Sequence, residues 1–267
     1  MGIQAYKNAV FETLLENQRF TSKRDFLYIG IQAYKNASIH IITEERRQGG
    51  VWMQDSVSRQ MFVVSLLSQK GGTGKTTLAI QLAVAAMLDG HTVIIVDMDP
   101  QRSATWWGEI RADAPPIVLP ATTMELPRLL RNAEQNGVTL AILDTPPKLE
   151  PDGEAHHAAR ASDLALITCK PAAFDVKAIE ATVKLAEVAN VPARIVFNQV
   201  PANSSMIFKV RRAVEVYKAP CAPCIVGNRI KFSHAALDGQ SIQEFDHREK
   251  GANEVNALYK YTINQLQ

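Results

Sequence analysis

Residues 62–77 read Phe62-Val-Val-Ser-Leu-Leu-Ser-Gln-Lys-Gly-Gly-Thr-Gly-Lys-Thr-Thr77, an apolar run followed by a glycine-rich loop and the first residues of a helix-like stretch. This order is informative. Glycines after a strand let backbone N–H groups turn inward around an anionic phosphate, and the next helix adds its positive N-terminal dipole. In that setting Lys75 supplies a cation to the β- and γ-phosphates and the Thr76 hydroxyl can ligate magnesium. Gly71, Gly72, Thr73, Gly74 and Thr77 complete the loop. The usual G-x-x-x-x-G-K-[ST] pattern needs glycine at 69, where this chain has Gln69, and a second lysine, Lys70, precedes the double glycine.

Downstream, strand-like runs are predicted at 92–96, 139–143, 164–168, 193–197 and 224–227, with helical stretches at 75–89, 104–110, 125–136, 176–189 and 204–218. Continuously apolar strands alternating with helices predict an α/β fold: a three-layer P-loop NTPase with a mainly parallel twisted sheet flanked by helices on both faces. The stretch 78–88 is apolar on nearly every side, which suits a deeply packed helix. Ligands of such folds sit at the carboxyl ends of the strands.

Two acidic segments fall there. Val93–Gln101 (VIIVDMDPQ) ends a strand with Asp97 and Asp99, on one side by strand alternation. Leu140–Pro147 (LAILDTPP) is an apolar strand capped by Asp144. Phosphoryl transfer depends on such carboxylates to hold magnesium and orient water.

The loop K-G-G-x-G-K-T-T, with these two segments in this order, resembles the deviant Walker A ATPases of the ParA/MinD family, most of all the small ParA-type partition proteins. That resemblance covers residues 61–245 and is specific at the three phosphate-site motifs. It implies ATP and Mg2+ as cofactors, with Lys70 reaching the phosphates of a partner subunit in a nucleotide-dependent homodimer. It also implies that Asp99 orients the attacking water, that Asp97 lies nearer the magnesium shell, and that Asp144 holds a magnesium-bound water. Asn198, in VFNQV, falls where the family often places an asparagine reading the adenine edge; a plain strand-end residue is the other reading. Lys170–Asp175 (KPAAFD) resembles the family's proline-containing loop, and Ile230–Phe245 its C-terminal stretch.

Lys209, Arg211, Arg212, Lys218, Arg229 and Lys231 gather where ParA-like proteins carry basic residues for non-specific DNA binding, although a solvated face reads much the same. Residues 194–267 hold ten Lys/Arg against six Asp/Glu, whereas residues 61–193 hold eleven against fifteen. By resemblance, the expected function is plasmid or chromosome partition with a centromere-binding, ParB-like partner, in the cytoplasm and associated with the nucleoid. Two alternatives stay open. One is a MinD-like membrane-surface ATPase, against which the short, nearly uncharged tail Leu258–Gln267 argues. The other is an iron–sulfur carrier using Cys221 and Cys224, whose C-x-x-C spacing also suits two structural cysteines beside a turn. Trp106 and Trp107 are expected to pack against the core or a neighbouring chain.

No apolar run approaches the ~18 residues of a membrane span, and three cysteines make no disulfide framework. The first sixty residues differ from the rest. GIQAYKNA occurs at 2–9 and again at 30–37, and Met61 directly precedes the first strand. The expectation is a division into an N-terminal extension (1–60), with Met61 as the native start, and an ATPase domain (61–267).

Overall fold

The computed structural model describes residues 61–267 except 113, 149, 151 and 203–205, and only the backbone of 173–176. The reading of residues 1–60 lies outside the described residues.

The chain alternates as expected: β1 (Phe62–Leu67), α1 (Lys75–Leu88), β2 (Val93–Asp97), α2 (Ser103–Ile110), β3 (Ile117–Pro120), α3 (Leu126–Gln135), β4 (Leu140–Asp144), α4 (Glu154–Arg160), β5 (Leu164–Cys169), α5 (Ala173–Val188), β6 (Ala193–Val200), α6 (Met206–Val214), β7 (Cys221–Gly227), α7 (Lys231–Leu237), α8 (Ile242–Phe245) and α9 (Lys250–Asn264). The sheet has seven strands in the order β3-β2-β4-β1-β5-β6-β7. Every pairing is parallel. β1, β2, β4 and β5 are almost wholly buried, as strands covered on both faces must be.

Alternation along β1 feeds both outer layers. Val64 and Leu66 face a core built with α1, α2 and α9, while Met61, Val63 and Leu67 face cores built with α3, α4 and α5. β1 and β4 are neighbours, yet α1 and α4 leave them toward opposite faces. That divergence opens a crevice at their carboxyl ends, where ligands of open α/β sheets bind.

α1 lies under a third element. Leu78, Ala79, Leu82, Ala83 and Ala86 are buried in one cluster with Val255, Leu258 and Tyr259 of α9. Covering on both sides explains a helix with no polar stripe. The Tyr259 hydroxyl donates to Asp89 at 2.8 Å, fixing α9 against the end of α1. The tail's apolar residues therefore point inward, with Ile263 and Leu266 packed on the same core. Among the described residues no helix is long and apolar enough to cross a membrane.

Several elements departed from expectation, among them α7, α8 and α9, which follow the last predicted helical stretch. β3, a half-exposed edge strand behind Pro115 and Pro116, was not foreseen. Nor was α4, a seven-residue helix. β7 begins three residues before the predicted start, and α6 ends at Val214, four residues short.

Candidate functional site

The loop from Ser68 to Gly74 joins β1 to α1 at the mouth of the crevice. Gly72 (φ 71°) and Gly74 (φ 87°) take left-handed backbone conformations, which their missing Cβ atoms permit. Gly74 is also the N-cap of α1, and no side chain caps that end. The first N–H groups of a 14-residue helix thus face the loop's interior, as an anion site requires. Lys75, the first helical residue, is 6% exposed. Burial pulls its ammonium below the usual lysine range, against the attraction of Asp144 and Asp99. The Thr73 hydroxyl bonds that of Thr168 on β5 at 2.9 Å, and Thr145 donates to the Leu66 carbonyl at 2.6 Å. These contacts brace the loop from both neighbouring strands.

Asp144 is wholly buried, and neither carboxylate oxygen has a well-aligned hydrogen-bond partner. Burial raises its pKa to about 7, with Asp97 and Asp99 adding to the effect; the Thr76 hydroxyl and Lys75 oppose it. A buried carboxylate without partners is costly unless a cation completes it. With the hydroxyl of Thr76 beside it, this all-oxygen arrangement fits a hard divalent ion such as magnesium.

Asp97 sits next to Asp144 across the β2–β4 ladder, also wholly buried, but its oxygens are engaged within the chain. One accepts the Thr105 N–H and hydroxyl at 2.9 and 2.7 Å, the other the Asp99 N–H at 3.1 Å. Asp97 therefore shapes the loop between β2 and α2. Asp99, half-buried beyond it, accepts the Gln101 N–H through one oxygen. Trp107 is buried and donates to the Gln240 carbonyl at 3.3 Å, whereas Trp106 is 51% exposed.

The far side of the loop is held by residues that spacing alone could not assign. Asn198 is 3% exposed, and its side-chain amide donates to the Thr73 carbonyl at 2.8 Å. Gln199 donates to the Gly72 carbonyl at 3.1 Å. The Asn198 amide expected at a base edge thus gives one N–H to the loop backbone. A second cation was likewise missed: the Lys170 Nζ lies 3.9 Å from where a Cβ on Gly72 would stand.

The basic residues separate into two groups. Lys209 and Arg212 are exposed on α6, and Lys218 is exposed beyond it. Arg211 instead donates to the Ala222 carbonyl at 3.0 Å with its guanidinium 5.6 Å from the Phe197 ring centroid. Arg229 forms a two-pronged pair with Glu254 at 2.6 and 3.0 Å, and Lys231 bonds Asp246 and Glu249 at 3.1 and 2.7 Å. Three of these six basic residues are engaged by partners within the chain that the reading had not placed.

Of the two readings of the cysteine pair, the geometry favours structural cysteines, within a strand rather than beside a turn. Cys221 and Cys224 lie within strand β7, three residues apart, and pack into the two opposite cores. Thiols on opposite faces of a sheet cannot close on one metal. Among the described residues no cluster of three or more metal-ligating side chains exists, and burial pushes both thiols up.

A glycine-rich loop between the central parallel strand and a helix N-terminus, with a buried aspartate from the adjacent strand, defines a P-loop nucleotide-binding protein. Comparison with known proteins agrees. The CobQ/CobB/MinD/ParA nucleotide binding domain matches residues 64–242, and the chain belongs to that family of ATPases. Maintenance of carboxysome distribution protein A from Gloeobacter kilaueensis is 33% identical over 207 residues, covering 76% of this chain and 93% of that protein. The chromosome-partitioning ATPase Soj from Thermus thermophilus is 38% identical over 117 residues, covering 33% of this chain and 47% of its own length. The septum site-determining protein MinD from Pyrococcus horikoshii, solved with Mg-ADP, shares the fold with a TM-score of 0.61 at 19% identity, covering 76% of this chain and 96% of that one.

Proposed function

We propose that the chain is an ATP-driven positioning switch. ATP closes a homodimer, the dimer holds DNA without sequence preference, and a partner protein triggers hydrolysis and release. One observation carries the reading: Lys75, Asp99 and Asp144 converge on a glycine cradle whose buried carboxylate has no well-aligned hydrogen bond from the protein.

In this reading the loop N–H groups and Lys75 bind the β- and γ-phosphates. Thr76 and Asp144 hold magnesium, which neutralises charge on the phosphates when bound. Asp97 is assigned to shaping the loop rather than to the metal, because its oxygens are committed to Thr105 and Asp99. Asp99, with one oxygen left over from its turn, orients the attacking water. Lys70 contacts the phosphates of the partner subunit and makes assembly depend on the triphosphate.

DNA contact rests on Lys209, Arg212 and Lys218, the expected cations left exposed on and beyond α6. Contacts of this kind are electrostatic and salt-sensitive. The cargo has two readings. A replicon with a centromere-binding partner follows from the shorter Soj match. A large protein body follows from the carboxysome-distribution relative, which the chain matches over nearly all of that protein's length. A membrane-surface role is disfavoured by the inward-facing tail helix.

Sedimentation velocity tests the switch. Asp99→Ala should be a dimer with ATP and magnesium and a monomer with ADP, and Lys70→Ala should be a monomer with either. A dimer of Lys70→Ala with ATP would refute the role given to Lys70.

A further inference from the structure

Helix α6 distributes its side chains against expectation. Val210 and Val214, one turn apart, are buried, and Ile207 packs with them on the core that holds Ile195 and Phe197 of β6. Arg211 turns the same way, onto the Ala222 carbonyl and the Phe197 ring. Phe208 does the opposite and is 78% exposed. Helical spacing puts it on one stripe with Arg212, and Lys209 adjoins Arg212 on that side. An arginine thus leans on the core while a phenylalanine stands in water, the reverse of what burial of apolar area favours.

The side chains around Phe208 indicate what would cover it. Lys209, Arg212 and, beyond the helix, Lys218 are exposed, and among the described residues none of them forms an ion pair. From residue 206 to 218 four cations stand against one acid, Glu215. Such a face fits a polyanion that also presents apolar area close to its charges. Nucleic acid does both, with phosphates for the cations and bases against which an aromatic ring can stack or wedge. A lipid surface needs a broad apolar helix face, and Ile207, Val210 and Val214 are turned into the fold. We infer that Phe208 contacts the bases of bound DNA, giving α6 a hold on the duplex that salt does not weaken. The inference rests on the DNA contact proposed above.

The test uses the full chain with magnesium and a slowly hydrolysed ATP analogue, and titrates a mixed-sequence duplex across a salt series. Phe208→Ala should weaken binding by roughly 10-fold at every salt concentration and leave the salt slope unchanged, because a base contact releases no counterion. Polyphosphate, a polyanion without bases, should bind variant and wild type equally. Phe208→Trp, with its larger ring, should restore duplex affinity. Because the ring is 78% exposed, the melting temperature and the nucleotide-dependent dimer should stay as in the wild type. Unchanged duplex affinity in Phe208→Ala would overturn the inference, as would an equal loss on polyphosphate. So would loss of the dimer, which would put Phe208 in the subunit contact, or a loss confined to phosphatidylserine vesicles, which would make the face a lipid anchor. If the wild-type chain binds no duplex even at low salt, the DNA reading itself fails and this inference with it.

Discussion

The centre of the sheet and its β6–β7 edge both carry charged residues to the carboxyl rim, but they use them differently. At the centre, Lys75 and Asp144 are buried with their charges directed at an incomplete site. At the edge, Arg229 and Lys231 are completed by Glu254, Asp246 and Glu249. Buried charges must find partners, and a group whose partners in the chain leave its hydrogen bonding incomplete points to a ligand. The difference separates residues that bind something from residues that hold the fold.

Substitutions can break this comparison. Lys75→Ala should weaken ATP by roughly 100-fold to 10,000-fold, from two charge-assisted contacts of about 1.5–3 kcal/mol each, and abolish turnover. Fluorescent-nucleotide titration checks this, with the thermal transition as a control for folding. Asp99→Ala should leave ATP affinity within about twofold while slowing turnover by roughly 100-fold or more, the usual scale for a lost general-base group. Equal steady-state ATPase rates for Asp99→Ala and wild type would mean that the water is oriented elsewhere.

A third substitution probes a long-range support. Arg111, just after α2, meets Glu244 of α8 at 2.6 and 2.9 Å, with both side chains about nine-tenths buried. Its guanidinium also donates to the Gly239 carbonyl at 2.8 Å and lies 5.0 Å from the Trp107 ring centroid. Arg111→Ala should cost about 3–5 kcal/mol of stability by denaturant titration, because Glu244 is left buried without its cationic partner, keeping only the Ser241 N–H. A smaller loss in Arg111→Ala with Glu244→Gln would confirm that cause.

The edge gives the mildest effects. Lys209→Ala and Arg212→Ala should each lower the slope of DNA affinity against salt by about 1, as loss of one phosphate contact does. Arg229→Ala should leave that slope unchanged and lower the melting temperature. The reverse pattern would move the DNA surface from α6 to the start of α7. Replacing Cys221 or Cys224 with serine should leave metal content unchanged.

What the sequence made legible follows the same division. The loop, α1 and the strand-end aspartates depend on neighbours within a few residues, so local pattern carries them. The central strands are short and mostly apolar, and their order along the chain implied a parallel sheet. The engagement of Asn198 was hidden because it depends on a bulge between Phe197 and Val200 of β6, and Gln199 leaves no periodic trace. Arg229 and Lys231 were read as surface cations because their carboxylates lie within α9 or between α8 and α9, helices that the pattern did not announce. Arg111 and Glu244 are 133 residues apart and meet only in the folded chain. Asp97 was read nearer the magnesium shell because its contacts with Thr105, which engage one of its oxygens, appear only in the folded chain.

The central claim is that nucleotide state controls what the chain holds. Co-sedimentation with DNA of arbitrary sequence, in ADP, ATP and a slowly hydrolysed ATP analogue across a salt series, tests it directly. The account predicts binding with ATP and the analogue, weakening as salt rises, and none with ADP. Equal binding in all three nucleotides, or none in any, would contradict it.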